Sequence, residues 1–168
     1  MVLLFLVPPT LARPAFSATL DDIPPACDQI LAAPVRLKLV LGCAAVLDKE
    51  TGLVWERSPD ASTKKWYAAV YCCVGKDLSR RKGWRLPTFE ELASLVDTGT
   101  DATRSLRLPA GHPFLHVQSA YFWSATTDVV DPQEAWIVGI GNGGERPNRK
   151  TGMTYTWCVR AGRGYDNR

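Results

Sequence analysis

The chain has 168 residues, of which 46% are hydrophobic and 22% charged, and its net charge is +3. That length supports one domain with a core of its own, the charge is too mild to predict a nucleic-acid partner, and no apolar run is long enough to cross a bilayer as a mature helix. Five cysteines, at 27, 43, 72, 73 and 158, fit an exported protein with disulfides, and an odd count leaves at least one thiol free or bonded between molecules.

Residues 1–18 read as a signal peptide. Val2 to Val7 form a short apolar core, Pro8 and Pro9 end it, and Ala15-Phe16-Ser17 places small residues where a signal peptidase reads, predicting cleavage after Ser17 or Ala18. No Lys or Arg precedes the run, so a disordered apolar tail is the alternative. Residues 19–35, punctuated by Pro24, Pro25 and Pro34, are a linker. Leu41-Gly42-Cys43 resembles a lipoprotein attachment site only superficially, because too few apolar residues separate it from Lys38.

The folded domain is expected over 36–162, with a tail at 163–168. Arg36–Leu41, Ala44–Leu47 and Leu53–Arg57 read as strands, the last two joined by a turn in which Gly52 supplies positive φ. Ser62 or Thr63 is expected to cap a helix running to Val74, with Trp66, Ala69, Val70 and Cys73 on one face. On such a helix Cys72 and Cys73 point about 100° apart and do not share a role. Gly75 to Lys82 is a polar, basic loop.

Leu86-Pro87-Thr88-Phe89-Glu90-Glu91 is the sharpest local signal. Pro87 holds Leu86 extended, and Thr88 with Glu91 has the spacing of a capping box, opening a second helix with Phe89, Leu92 and Val96 as its buried stripe. Asp97 to Ser119 is a long loop with no regular structure, a feature that is usually functional or unusually well packed. Tyr121–Thr126 and Ala135–Ile140 alternate as strands, Gly141 to Gly144 is a hairpin-type turn, and Thr154–Ala161 is the last strand. Two early helices among strands gathered late make the class α+β.

Taken together, these blocks resemble the C-terminal domain family of the Legionella collagen-like adhesin, formerly a domain of unknown function. The blocks that carry the resemblance are Val46 to Arg57; Trp66 with Ala69 and Cys73; Arg81 to Thr88 with Glu91-Leu92; Ser94 to Asp97; Leu108 to Phe114; Val117 to Ser119; Tyr121; Trp123 to Thr127; Ala135-Trp136; and Trp157-Cys158-Val159-Arg160. They span about 36 to 162. The R-L-P-T-x-x-E pattern and the closing C-V-R also resemble the sulfatase-modifying-factor and C-type-lectin-like group. That resemblance implies a C-type-lectin-like fold, with two helices packed on a twisted antiparallel sheet and long loops. The family's usual cysteines match Cys73 and Cys158, which implies a disulfide between the first helix and the last strand, closing a long loop at a gain of roughly 4 kcal/mol. Cys27, Cys43 and Cys72 depart from the family pattern. A Cys27–Cys43 bond would leave Cys72 alone.

Little in the chain points to covalent chemistry. His112 and His116 are four apart, the helical spacing of a metal pair, but Gly111 and Pro113 argue against a helix and no further ligand is near. Ser119 and Ser124 lie in no nucleophile elbow. The adjacent Cys72 and Cys73 do not reproduce the reactive thiol pair of the sulfatase-modifying enzymes. Lectin calcium motifs are interrupted, since Glu145-Arg146-Pro147-Asn148 carries an inserted arginine, and Asp128, Asp131 and Glu134 read as a solvated acidic loop. The tryptophans and Tyr121 read as core residues, with one or two open to stack on sugar.

Basic residues recur on the loops instead, and arginine forks match sulfate and carboxylate groups. The expected function is therefore a non-enzymatic, secreted, periplasmic or cell-surface module without cofactor, metal or catalytic residue. It would recognise carbohydrate, an anionic glycan included, at a surface made by the long loop and the late hairpin. The expected contacts are Arg104, Arg107, Arg146, Asn148, Arg149 and Lys150. The family adhesin's recognition of sulfated glycans points the same way. The expected partner is a glycan or a cell-surface protein and not nucleic acid, and the oligomeric state is open. A structural or protein-interaction domain of an adhesin assembly is the alternative, and an enzyme of the sulfatase-modifying group a third.

Overall fold

The computed structural model describes residues 36–99 and 104–162; the expected signal peptide, linker and tail lie outside the described residues. It is α+β, with two helices and two sheets.

The first sheet has the order β1-β2-β3-β9 and is antiparallel throughout, built from β1 (Leu37–Val40), β2 (Ala45–Asp48), β3 (Leu53–Glu56) and β9 (Val159–Ala161). Gly52, at φ 70°, turns β2 into β3 as its sequence context requires. Asp48, fully buried at the end of β2, accepts a two-pronged bond from Arg36 at 3.0 and 2.7 Å. Between β1 and β2, Leu41, Gly42 and Cys43 all take positive φ. Cys43 is disulfide-bonded; its expected partner, Cys27, lies outside the described residues.

The second sheet has the order β4-β8-β5-β6-β7, comprising β4 (Asp60–Lys64), β5 (Tyr121–Thr127), β6 (Glu134–Gly139), β7 (Glu145–Arg149) and β8 (Thr154–Thr156). All its pairs are antiparallel except β5 with β8. Two of these strands correct the sequence expectation. Asp60–Lys64 is a strand where a helix cap was expected: Asp60 Oδ1 accepts from both the backbone and the hydroxyl of Ser62 (2.8 and 2.7 Å), so Ser62 serves a local turn. Helix α1 (Trp66–Val74) therefore begins later, at Lys65, with no side-chain cap. Glu145–Arg149 is a strand despite Pro147, because β7 is an edge strand, where a missing ladder donor is tolerated.

The last expected strand is two strands. β8 joins the five-stranded sheet and β9 the four-stranded one, so the chain steps between sheets at Trp157-Cys158. Trp157 is fully buried there against Trp55, Phe114 and Phe122, with ring centroids 5.7, 4.8 and 5.5 Å away. Its indole N–H donates to the Glu56 carbonyl at 2.8 Å. Cys158 is bonded to Cys73 on α1, with Cα atoms 5.4 Å apart, as the resemblance implied.

Helix α2 (Phe89–Ala93) opens on the full capping box: Glu91 N–H donates to Thr88 Oγ1 and Thr88 N–H to Glu91 Oε2. Arg85 forks onto the same carboxylate with two 2.7 Å bonds. The helix is shorter than expected, leaving Val96 beyond it. Its buried Leu92 joins Leu37, Trp55, Phe122, Val138 and Trp157 in one core cluster. A second cluster gathers Ala69 and Cys73 of α1 with Trp84, Trp123, Ala135 and Ile137. The long loop is well packed: Leu108 and Phe114 are buried, and Arg57 donates to the carbonyls of Pro113 and Cys43.

A carboxylate-free groove on the five-stranded sheet

Opposite residues on neighbouring strands share a sheet face. Trp123, Ile137 and Arg146 form one such row across β5, β6 and β7, and Tyr121 with Gly139 starts the next. Helix α1 packs on this face around Trp123, Ala135 and Ile137. Two indoles fasten that end: Trp66 donates to the Ser124 carbonyl and Trp123 to that of Lys64, each at 2.8 Å. Nine residues of helix do not cover the whole face. The part nearer the β6–β7 turn is an open groove of about 380 Å³, with Thr63, Tyr121, Arg146, Asn148, Met153 and Tyr155 among its lining residues and no Asp or Glu.

Glycines shape the seat of Tyr121. Tyr121 stands opposite Gly139, whose N–H bonds the carbonyl of Gly144, the residue before β7. A Cβ on Gly139 would come within 3.2 Å of the Tyr121 ring, and one on Gly144 within 2.7 Å of its hydroxyl. The phenol therefore lies across both positions because neither carries a side chain there. Asn142 Oδ1 accepts from Gly144 N–H at 2.9 Å, and its amide donates to the Tyr121 oxygen at 3.3 Å. The Arg146 guanidinium lies over the same ring, 4.8 Å from its centroid. The Asn142 bond, aided by Arg146, holds the phenol below its ordinary pKa against the opposing effect of desolvation.

Two of the six expected contacts meet here. Arg146 is exposed and has no acidic partner among the described residues. The Asn148 amide donates to Thr154 Oγ1 at 3.2 Å, while its Oδ1 accepts nothing among the described residues. The other four lie outside the groove lining. Arg149 faces Asp131 and Glu134 at 3.9 and 3.8 Å. Lys150 donates to Thr127 Oγ1 and the Pro132 carbonyl and sits 4.5 Å from the Trp66 ring centroid. Arg104 pairs with Asp97 at 3.5 Å. Arg107 reaches the hairpin turn, its Cδ 3.2 Å from where a Cβ on Gly143 would stand. The long loop and the late hairpin thus meet at Gly143, beside the groove rather than in it.

Sequence reasoning missed Tyr155, Met153 and Thr63, and assigned Tyr121 to the core. The available signal was glycine at 139 and 144, flanking strands whose neighbours are large.

The remaining chemistry-bearing residues are dispersed. His116 is a loop residue at φ 52°, 3.1 Å from the Ser58 hydroxyl, and does not form a helical pair with His112. Burial, with Arg104 nearby, pushes the His112 imidazole down from its ordinary pKa. The basic stretch after α1 is partly engaged, with Lys76 on Glu56 and Arg85 on Glu91. Cys72 is a half-buried free thiol. Among the described residues, no three His, Cys, Asp or Glu side chains are grouped to hold a metal ion, and no helix is long and apolar enough to cross a membrane.

The family model described as the Lcl C-terminal domain matches residues 44–160. No curated protein matches the chain.

Proposed function

The chain belongs to the Lcl C-terminal domain family, and from that premise we propose that it is an exported, non-enzymatic module that binds carbohydrate in the groove on its five-stranded sheet. The observation that carries this reading is Arg146 lying over Tyr121 in a groove that holds no carboxylate. A phenol ring offers a flat apolar face for the C–H side of a sugar. The guanidinium edge and the Asn148 carbonyl offer a donor fork and an acceptor for hydroxyl or acidic groups. Disulfide use supports an oxidising compartment. We extend the reading to a C-type-lectin-like scaffold, on the motif resemblance alone.

A glycan array probed with the disulfide-intact chain tests it. Hits that weaken with salt and vanish in Arg146→Ala are expected. An array without hits, or hits indifferent to that substitution, would refute it. The competing reading, a protein-interaction domain, has its own observation: Tyr67, Tyr71 and Val74 stand at i, i+4 and i+7 on α1 and are 61%, 74% and 61% exposed. It gains if Tyr71→Ser abolishes a partner contact that Arg146→Ala leaves intact.

A further inference from the structure

The number and setting of the charges around the groove narrow the ligand further. Arg146 is the one ionised side chain among the lining residues. The cations beside it on the same strand and turn lie outside the lining, Arg149 facing two carboxylates at 3.9 and 3.8 Å and Lys150 bonded to two oxygens beside an indole. A densely sulfated chain gains most of its affinity from many simultaneous cationic contacts and would find one here. The groove's volume, about 380 Å³, is at the small end of the range for ligand clefts, so it suits a short piece of chain.

The one cation in the groove lining also has a defined neighbour. The Arg146 guanidinium carbon lies 4.8 Å from the centroid of the Tyr121 ring, and a guanidinium edge matches a planar carboxylate through two parallel hydrogen bonds. Tyr121 is itself placed by Asn142 and by the two glycines beside it, so the ring next to the guanidinium is held by its surroundings. Met153 gives the same groove apolar surface, while the Tyr155 ring packs on Phe122 on the other face of the sheet.

Building on the carbohydrate reading, we propose that the groove recognises a sugar bearing a single carboxylate, a terminal or widely spaced uronic-acid unit, with the carboxylate on the Arg146 fork and the ring against Tyr121. The test is calorimetry on the disulfide-intact chain with three probes: a disaccharide ending in glucuronic acid, its uncharged methyl ester, and a disaccharide carrying a sulfate at the same end.

The acid should bind at least about tenfold more tightly than the ester. Arg146→Lys, which keeps the charge and loses the fork, should forfeit most of that preference. Arg146 is exposed, so neither result depends on a variant that fails to fold. Gly144→Ala, which crowds the Tyr121 hydroxyl, should weaken acid and ester alike.

Equal binding of acid and ester, tighter binding of the sulfate, or an Arg146→Lys variant that behaves like the parent would overturn the proposal. If none of the three probes binds while array sugars still do so through Arg146, the carboxylate assignment falls and the carbohydrate reading stands. If no sugar binds at all, both fall.

Discussion

Removing the Cys73–Cys158 bond by the double substitution Cys73→Ala and Cys158→Ala tests how the two halves of the domain are held. The bond closes a loop with a sequence separation of 85. In the chain-entropy treatment, a loop of that length restricts the unfolded chain by about 4.5 kcal/mol at 25 °C. Both cysteines are buried, at 0% and 1% exposure, so alanine also leaves small gaps that add to the loss. Domains of this kind are stable by about 5–15 kcal/mol, so the substitution removes a third or more of the total. With a urea dependence of about 1.5 kcal/mol per molar, the unfolding midpoint should fall by about 3 M. Equilibrium urea unfolding followed by tryptophan fluorescence is the assay, since Trp157 adjoins the bond. A midpoint within about 0.5 M of the parent, with an unchanged slope, would show that the loop constrains nothing and that the reasoning fails.

Three further outcomes follow from the buried and capping polar groups. Lys76→Met should cost about 3–5 kcal/mol at pH 7, because it strands the buried Glu56 carboxylate without its counter-ion. Burial, only partly offset by Lys76, already holds Glu56 above its ordinary value of 4.5. A raised acid favours the folded state when protonated, so the penalty should shrink as pH falls towards 4.5, and thermal melts at pH 7 and pH 5 showing equal losses would contradict this. Glu91 is shifted the other way, held below its ordinary 4.5 by the Arg85 fork and the Thr88 amide against desolvation. Its contribution is full above about pH 4.5 and is lost as pH falls through its folded pKa; Glu91→Gln should therefore cost about 0.5–1 kcal/mol at neutral pH and flatten the acid limb of a pH–stability curve. Trp157→Phe removes the donor that satisfies the buried Glu56 carbonyl and should destabilise by about 2–3 kcal/mol in chemical denaturation; a loss under 0.5 would mean the carbonyl finds water.

How much was legible in the sequence follows the range of the forces involved. Thr88, Glu91 and Pro87 act within one turn of chain, and the capping box was readable to the atom. Gly52 marked its turn for the same reason. Asp60–Lys64 was misjudged because Ser62 and Thr63 are equally good cap residues, and only the distant partner Thr154–Thr156 makes them a strand. The break at Trp157-Cys158 left no local mark, since both halves are β-prone and what divides them is which sheet each finds. For the groove, Arg146 and Asn148 were visible as polar residues beside a turn. Tyr121 was not, because an aromatic on a strand is usually core, and it lies open here only where α1 stops short.

The crossing of the chain from one sheet to the other has a consequence for how the protein is made. Residues 154–156 fill an interior slot between β4 and β5, and residues 159–161 complete the edge beside β3. Neither β-layer reaches its final strand order until this late-synthesised segment emerges, and its partners wait far upstream. A nascent chain stays open, with Cys73 unsealed, until those few residues arrive. Copies cut short before residue 154 would leave both sheets a strand short and Cys73 without its partner.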